Sequence, residues 1–187
     1  MKKLTMCFLC LFLILAFTAC SANITWNGNT ENLAIVNMIF DCSNPYEYAG
    51  IVDYIFVGTV EDIESIIIIS DNSEQTDSIY KIRVDNNLKG ELVENIICSK
   101  MGGLKKDGTM LLIVAETPQG EQIVDTGLPE LGKQYVFSAY AQPDGSLTLS
   151  EIFDNREYNE ALLEEYTDYI DHEIQFERER FVSEYSK

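Results

Sequence analysis

Basic residues are scarce in this chain: 13 lysines and arginines face 31 acidic residues, which gives a formal net charge of −18. Such a charge repels nucleic acid and anionic lipid headgroups, which argues against a polyanionic partner. It would instead attract cations or basic surfaces. The simpler interpretation is an acidic surface that keeps the protein soluble.

Histidine occurs once, at His172, among Asp168, Asp171 and Glu173. A catalytic triad needs a histidine placed against a nucleophile and an orienting acid, and no serine in a strained turn lies near it in the sequence. We therefore expect a solvated helix residue and no catalytic residues.

The sequence motifs that bind phosphate and calcium are also incomplete in this chain. Gly102-Gly103 and Lys105-Lys106 lack the Lys-Ser or Lys-Thr pair of a phosphate-binding loop, so the glycines predict a turn. The polar segment 71–77 offers oxygen ligands, but a calcium loop starting at Asp71 would have Thr76 and Ile82 where glycine and glutamate belong. We expect neither a metal nor a cofactor.

The longest apolar run lies at the amino end, from Leu4 to Ala19, after Lys2 and Lys3. Its sixteen residues fall short of the roughly 20 that a membrane-spanning helix needs. The pattern predicts a secretory signal peptide over residues 1–19.

Phe17-Thr18-Ala19-Cys20 resembles the bacterial lipobox, in which a cysteine is lipidated and becomes the mature amino terminus. The resemblance implies a fatty-acyl (palmitate-type) anchor on Cys20 and a protein held on the extracytoplasmic face of the cell membrane. Phe17 departs from the usual leucine, so ordinary secretion without a lipid stays open as an alternative. Without Lys2 and Lys3 the mature chain would carry a charge of about −20.

Cys42 and Cys98 are the cysteines left for disulfide chemistry after Cys20. In an oxidising compartment they could pair, and a bridge would stabilise the fold by about 4 kcal/mol. Two free thiols are the alternative. No histidine accompanies them at zinc-ligand spacing.

Composition divides the mature chain into three parts. Residues 20–43 begin with an asparagine-rich, polar stretch and predict a flexible tether. Residues 44–153 contain the strand patterns and predict one barrel domain. Residues 154–187 carry a helical pattern.

A short helix is expected first in the domain, over Tyr46 to Ile51, because Asn44 caps well and Pro45 suits the first helical position. The strongest strand signal follows from residue 53 to residue 69, with Gly58 as the natural place for a bulge. Residues 71–77 are polar and predict a loop. Further strands are expected at 80–84, 93–99, 110–115, 134–141 and 146–152.

The C-terminal part repeats apolar residues at helical spacing and contains neither glycine nor proline. It predicts an amphipathic helix of up to thirty residues that packs on the barrel, or alternatively docks a partner protein. The candidate docking residues are Leu163, Tyr166, Ile170, Ile174 and Phe181.

The order of these features resembles a group of exported bacterial proteins whose barrel is similar to the OB-like fold of the tissue inhibitors of metalloproteinases. The motifs that carry the resemblance lie between residues 49 and 153, at 52–60, 80–84, 88–90, 102–103 and 131–137. The resemblance implies a mainly β fold with a five- to six-stranded OB-like barrel. Inhibition is not implied, because the animal inhibitors use a free amino-terminal cysteine on zinc, whereas Cys20 would be acylated and lies upstream of the barrel.

For function, the sequence favours a non-enzymatic, membrane-tethered module that binds a ligand or a protein outside the cell. The alternatives are an inhibitor or immunity-type protein acting on an extracellular enzyme, and a hydrolase with two acids converging in a cleft. A sugar-binding platform built from aromatic residues also stays open. Its candidates are Trp26, Tyr46, Tyr48 and Tyr54.

Overall fold

A computed structural model describes residues 26–70, 73–124, 127–152 and 154–187 of the chain. The predicted signal peptide and Cys20 lie outside these residues. The described part contains two helices and nine strands. They are β1 (Thr30–Asn37), α1 (Pro45–Ile51), β2 (Tyr54–Ser70), β3 (Ser73–Lys89), β4 (Asn95–Met101), β5 (Gly103–Leu104), β6 (Met110–Glu116), β7 (Gln122–Val124), β8 (Gln134–Ala141), β9 (Leu147–Leu149) and α2 (Glu160–Asp171).

Five strands close into a barrel in the order β2-β3-β4-β9-β8. The neighbouring pairs are antiparallel, except that β4 and β9 run parallel. The predicted fold class is confirmed: the chain is mainly β, with a five-stranded barrel compatible with the OB-like type and a helix near the C-terminus.

The barrel is filled by alternate residues of its strands, such as Tyr80 and Ile82 on β3 and Phe137 on β8. Phe56 stacks on Phe137 with their ring centroids 5.5 Å apart. The β2–β3 register shifts at Gly58, as the sequence predicted, and a Cβ there would lie 2.6 Å from Ile82 Cγ2. We call this interior the barrel core.

Residues on the opposite face of β2 form a second core outside the barrel. Ile55 and Val57 pack there with Leu162 and Tyr166 of α2 and with residues of α1. Strand β2 is therefore buried on both faces over its first half. We call this second cluster the outer core.

Strands β1, β6, β5 and β7 build a separate sheet in which β1 runs parallel to β6. This corrects the prediction of a tether over residues 20–43, since Thr30–Asn37 is a paired strand. The apolar strand β6 is buried along most of its length and uses both of its edges for pairing. The strand contains a short apolar run over residues 33–36, but this run directly follows the asparagine-rich stretch, and the pairing itself runs through the backbone.

The β2–β3 hairpin is also longer than the sequence indicated. Residues 73–77 were predicted as loop, whereas their backbone continues β3 and pairs with β2. Ladder hydrogen bonds do not depend on apolar side chains, and this explains the difference. Asp71 and Asn72 lie outside the described residues.

Helix α1 begins as the sequence predicted. Asn44 is the N-cap, its Oδ1 accepts a hydrogen bond from the backbone N–H of Tyr46 at 3.1 Å, and Pro45 follows in the first turn. This cap fixes the start of the helix and the positions of Tyr46 and Tyr48.

Helix α2 is shorter than predicted: it covers twelve residues, and residues 173–187 follow it as a non-helical strap. Backbone hydrogen bonds hold this C-terminal strap to the domain. Ile174 donates to the Tyr46 carbonyl at 2.9 Å, and Lys187 donates to the Glu91 carbonyl at 3.1 Å. These tertiary bonds replace the helical bonds that the apolar spacing alone had suggested.

Charged groups of the strap meet the C-terminal end of α1, which has no basic residue in its own last turn. Arg180 Nη2 donates to the Gly50 carbonyl at 2.6 Å, and Arg178 Nε donates to the Ile51 carbonyl at 2.8 Å. Both guanidinium groups also pair with Asp53. The strap thus satisfies carbonyls that a helix end leaves open.

A fully buried lysine joins the barrel to the segment after β9. Lys100 Nζ donates to the carbonyls of Ser150 at 3.2 Å and Glu151 at 3.3 Å. Buried charged groups are retained only with such partners. The contact fixes the start of the segment that leads to Asp154 and Arg156. None of the helices in the described residues has the length and apolar character to cross a membrane.

Candidate ligand-binding site

A cavity of about 510 Å³ opens at the surface between α1, α2 and the segment after β9. It lies outside the barrel, next to the outer core. Cavities of 300–1,000 Å³ are typical of small-molecule sites. Its lining residues are Cys42, Ser43, Pro45, Tyr48, Ile152, Asp154, Asn155, Arg156, Tyr166 and Tyr169.

Three tyrosines from the two helices form much of the wall. Tyr166 and Tyr169 are one turn apart on α2, and their ring centroids lie 5.6 Å apart at 62°. Tyr48 comes from α1, and Tyr46 supports the ring of Tyr169 edge-on at 5.7 Å. The capping of α1 and the burial of Tyr166 in the outer core hold these rings in place.

The tyrosine hydroxyls donate their hydrogens to oxygen atoms of the protein. Tyr48 donates to the Ile152 carbonyl at 3.0 Å, Tyr166 to Asp154 Oδ2 at 3.2 Å and Tyr169 to Glu165 Oε2 at 3.4 Å. Behind the wall, Tyr46 donates to Asp168 Oδ2 at 3.0 Å. A ligand therefore meets hydroxyl oxygens as acceptors rather than donors.

Arg156 and Asp154 form the polar wall of the cavity. Arg156 Nε and Nη2 donate to the two Asp154 oxygens at 2.9 Å and 2.7 Å, and Nη1 donates to Glu165 Oε2 at 2.9 Å. Burial would raise the pKa of Asp154, but the hydrogen bonds and charge of Arg156 outweigh it, so the pKa lies below its ordinary value. The same carboxylates raise the pKa of Arg156.

This electrostatic arrangement differs from that of a carboxylate hydrolase. A general acid needs a raised pKa, whereas Asp154 is held in its ionised form. Tyr166, whose pKa is raised mainly by burial, keeps its proton. Near neutral pH the polar wall is therefore an ionised Asp154–Arg156 pair beside the protonated hydroxyl of Tyr166.

The two cysteines of the domain are free and buried in separate places. Cys98 lies in the barrel core, whereas Cys42 belongs to the outer core and lines the cavity. Of the two possibilities that the sequence left open for these cysteines, a disulfide or two free thiols, the structure has the free thiols, because the wall of the barrel lies between the two cores. Burial raises the pKa of both thiols.

The predicted docking stripe is divided between different surroundings. Tyr166 is buried, Leu163 and Ile170 pack on the outer core, and Phe181 packs on the barrel core. Ile174 remains 48% exposed. Because the helix ends before Ile174, the five residues do not form one continuous docking face.

Other predicted candidates lie elsewhere. Of the aromatic residues considered for sugar stacking, Tyr48 lines the cavity, Tyr54 is buried in the barrel core and Trp26 is exposed. His172 is exposed and contacts Asp168. Among the described residues, no group of three or more histidine, cysteine, aspartate or glutamate side chains is placed to hold a metal ion.

The cavity residues that sequence reasoning missed include Asp154, Arg156 and Tyr169. Tyr169 follows Tyr166 by one helical turn, so the same periodicity could have identified it. The Asp154–Arg156 pair carried no signal of its own, since its role depends on the segment lying against α2.

No protein-family model matches this chain, and comparison with curated proteins gives no match either. Fold and cavity together define a small β-barrel protein with a tyrosine-lined cavity outside the barrel.

Proposed function

We propose that this chain is a non-enzymatic binding module that takes a small organic ligand into the tyrosine-lined cavity. The observation that carries the proposal is the convergence of Tyr48, Tyr166 and Tyr169 on one cavity of about 510 Å³. Aromatic walls with a few fixed polar groups are the usual make-up of ligand sites. The cavity lies outside the barrel, next to the outer core, so a ligand can enter without opening the barrel.

The proposal places this module outside the cell, attached to the membrane by a lipid on Cys20. Its support is the sequence of residues 1–20 and the resemblance to exported bacterial barrel proteins. The alternative, an inhibitor or immunity-type protein, requires a protein partner in place of the small ligand.

A thermal-shift screen of the full chain in mild detergent tests the binding site. A fragment that occupies the cavity at 100 times its Kd stabilises the folded state by about 2.7 kcal/mol. We expect fragments that raise the Tm of the wild type but not of Tyr169→Leu. Ile97→Ala, at an exposed position on the barrel, is the control and should respond like the wild type. A diverse library with no fragment showing this difference would contradict the proposal.

Metabolic labelling with a palmitate analogue tests the anchor separately. We expect label and membrane association in the wild type and loss of both in Cys20→Ser. Unlabelled wild-type protein released into the medium would instead establish the secreted alternative.

A further inference from the structure

Carboxylates outnumber cationic groups around the cavity. Asp154, Glu165 and Asp168 each accept a hydrogen bond from a tyrosine of the wall or of its support, and Arg156 is the guanidinium among them. His172 contacts Asp168 on its solvent side. Asp154 and Arg156 line the cavity and balance each other in charge. Glu165 and Asp168 accept from the tyrosine hydroxyls without lining the cavity, so the excess negative charge comes from these neighbouring carboxylates.

Acidic groups also act at the Cys42 end. Burial is the main reason for the raised pKa of the Cys42 thiol, and the charges of Asp41 and Glu121 raise it further. The charges of Asp41 and Glu121 therefore place a negative potential at this end of the cavity as well, whereas burial would raise the pKa without them. The whole chain adds a formal charge of −18, which attracts cations over longer distances.

The rings themselves suit a cation. A positive charge over the face of a tyrosine is attracted by the negative face of the ring. A phenol that donates its hydrogen to a carboxylate is richer in electrons, which strengthens this attraction. Tyr166 and Tyr169 both donate in this way.

Arg156 does not turn the cavity into an anion site. Its Nε, Nη1 and Nη2 already donate to Asp154 and Glu165. An anionic ligand that approached the guanidinium would meet both carboxylates as well. Like charges at such short range oppose binding.

From these observations we infer that the cavity selects an organic cation, an alkylammonium group with an apolar body, over neutral and anionic molecules. The inference rests on the proposed binding function and names its ligand class. The apolar body contacts Ile152 and Pro45, and the cationic head lies against the tyrosine rings.

The test compares choline with 3,3-dimethyl-1-butanol, which has the same shape without the charge. Titration calorimetry on the full chain in mild detergent should show choline binding about tenfold more tightly. Tyr169→Leu should lose this preference. Benzoate, an anion, should bind more weakly than either compound.

Variants that change the charge around the cavity test the cation preference directly. Arg156→Gln removes the positive group and should strengthen choline binding several-fold, whereas Glu165→Gln should weaken it. Arg83→Gln, at an exposed ion pair on the barrel, changes the net charge equally and should leave the Kd nearly unchanged. Near-UV circular dichroism identifies any variant that fails to fold. If Arg156→Gln does not fold, the direction in which Glu165→Gln changes the Kd for choline still decides the inference.

The outcomes separate this inference from the proposed function. Equal binding of choline and its neutral analogue, or tighter binding of benzoate, overturns the cation preference and leaves the binding function standing. If none of the three probes binds, the cation preference is refuted, while the fragment screen with Tyr169→Leu decides the binding function independently.

Discussion

Asp154 links the segment after β9 to helix α2. Its carboxylate accepts hydrogen bonds from Arg156 and from the hydroxyl of Tyr166, and Arg156 continues the chain of contacts to Glu165. Charge-assisted hydrogen bonds of this kind are stronger than neutral ones. One ionised side chain thereby holds the polar wall against the aromatic wall.

The lowered pKa of Asp154 predicts a particular pH dependence. Because its pKa is depressed in the folded state, ionised Asp154 stabilises the fold at every pH above its ordinary pKa of about 3.9. This stabilisation is lost as the pH falls through the lower pKa that Asp154 has in the folded protein. Urea unfolding of wild type and Asp154→Asn should show a difference that is constant from about pH 7 to 5 and shrinks below about pH 4. A difference that stays constant down to pH 2, or a carboxyl that titrates by NMR above 4, would contradict the assignment.

At the scale of elements, α1 and the C-terminal strap depend on each other. The strap passes so close to α1 that a Cβ on Gly50 would lie 1.9 Å from the Ile174 carbonyl oxygen. Arg178 and Arg180 then satisfy carbonyls at the end of the same helix. Pro45 and Tyr48, nearer the N-terminal end of α1, line the cavity.

Gly50→Ala should therefore displace the strap. Overpacking of this kind costs about 1–3 kcal/mol of unfolding free energy. We expect faster trypsin cleavage at Arg178 and Arg180 in the native protein, followed by mass spectrometry. Gly120→Ala is the matched control, because Gly120 has a φ of 82° but no atom within 4 Å of the added Cβ. Its left-handed backbone costs about 1 kcal/mol without freeing the strap. Equal cleavage of the two variants would argue against the close contact.

The whole molecule is organised around two cores that share strand β2. The barrel core lies inside the closed sheet, and the outer core joins the barrel surface to both helices. Each core contains one free cysteine, and the two cores are stabilised by packing without a covalent link.

Reductant should therefore leave the thermal unfolding of the full chain unchanged. Loss of a disulfide worth about 4 kcal/mol would lower the Tm by about 10 °C in a chain of this size. Peptide mapping after alkylation should show Cys42, at the cavity, reacting before the fully buried Cys98. A clear fall of Tm in dithiothreitol would show that the two thiols pair.

Local patterns predicted the parts of the fold that side chains determine. Alternation identified β3, β-branched residues identified β2, and Asn44-Pro45 identified the start of α1. Strand β1 and the tip of the β2–β3 hairpin pair through backbone hydrogen bonds, which any side chain permits. The strap depends on contacts with residues distant in sequence, such as those of Arg178 and Arg180 with the end of α1, which helical spacing does not show. The cavity escaped prediction because it forms where the segment that carries Asp154 meets Tyr48 of α1 and Tyr169 of α2, which are distant in sequence.

The strap also sets an order of events during synthesis. Lys187 donates to the Glu91 carbonyl, and the backbone carbonyl of Tyr185 accepts from Val93, so the barrel receives these contacts from the part of the domain that is synthesised last. A ribosome covers the most recently added residues in its exit tunnel. The domain can consequently complete its fold only after residues 173–187 have left the ribosome, and a chain truncated before the strap leaves the carbonyl end of α1 without its arginines.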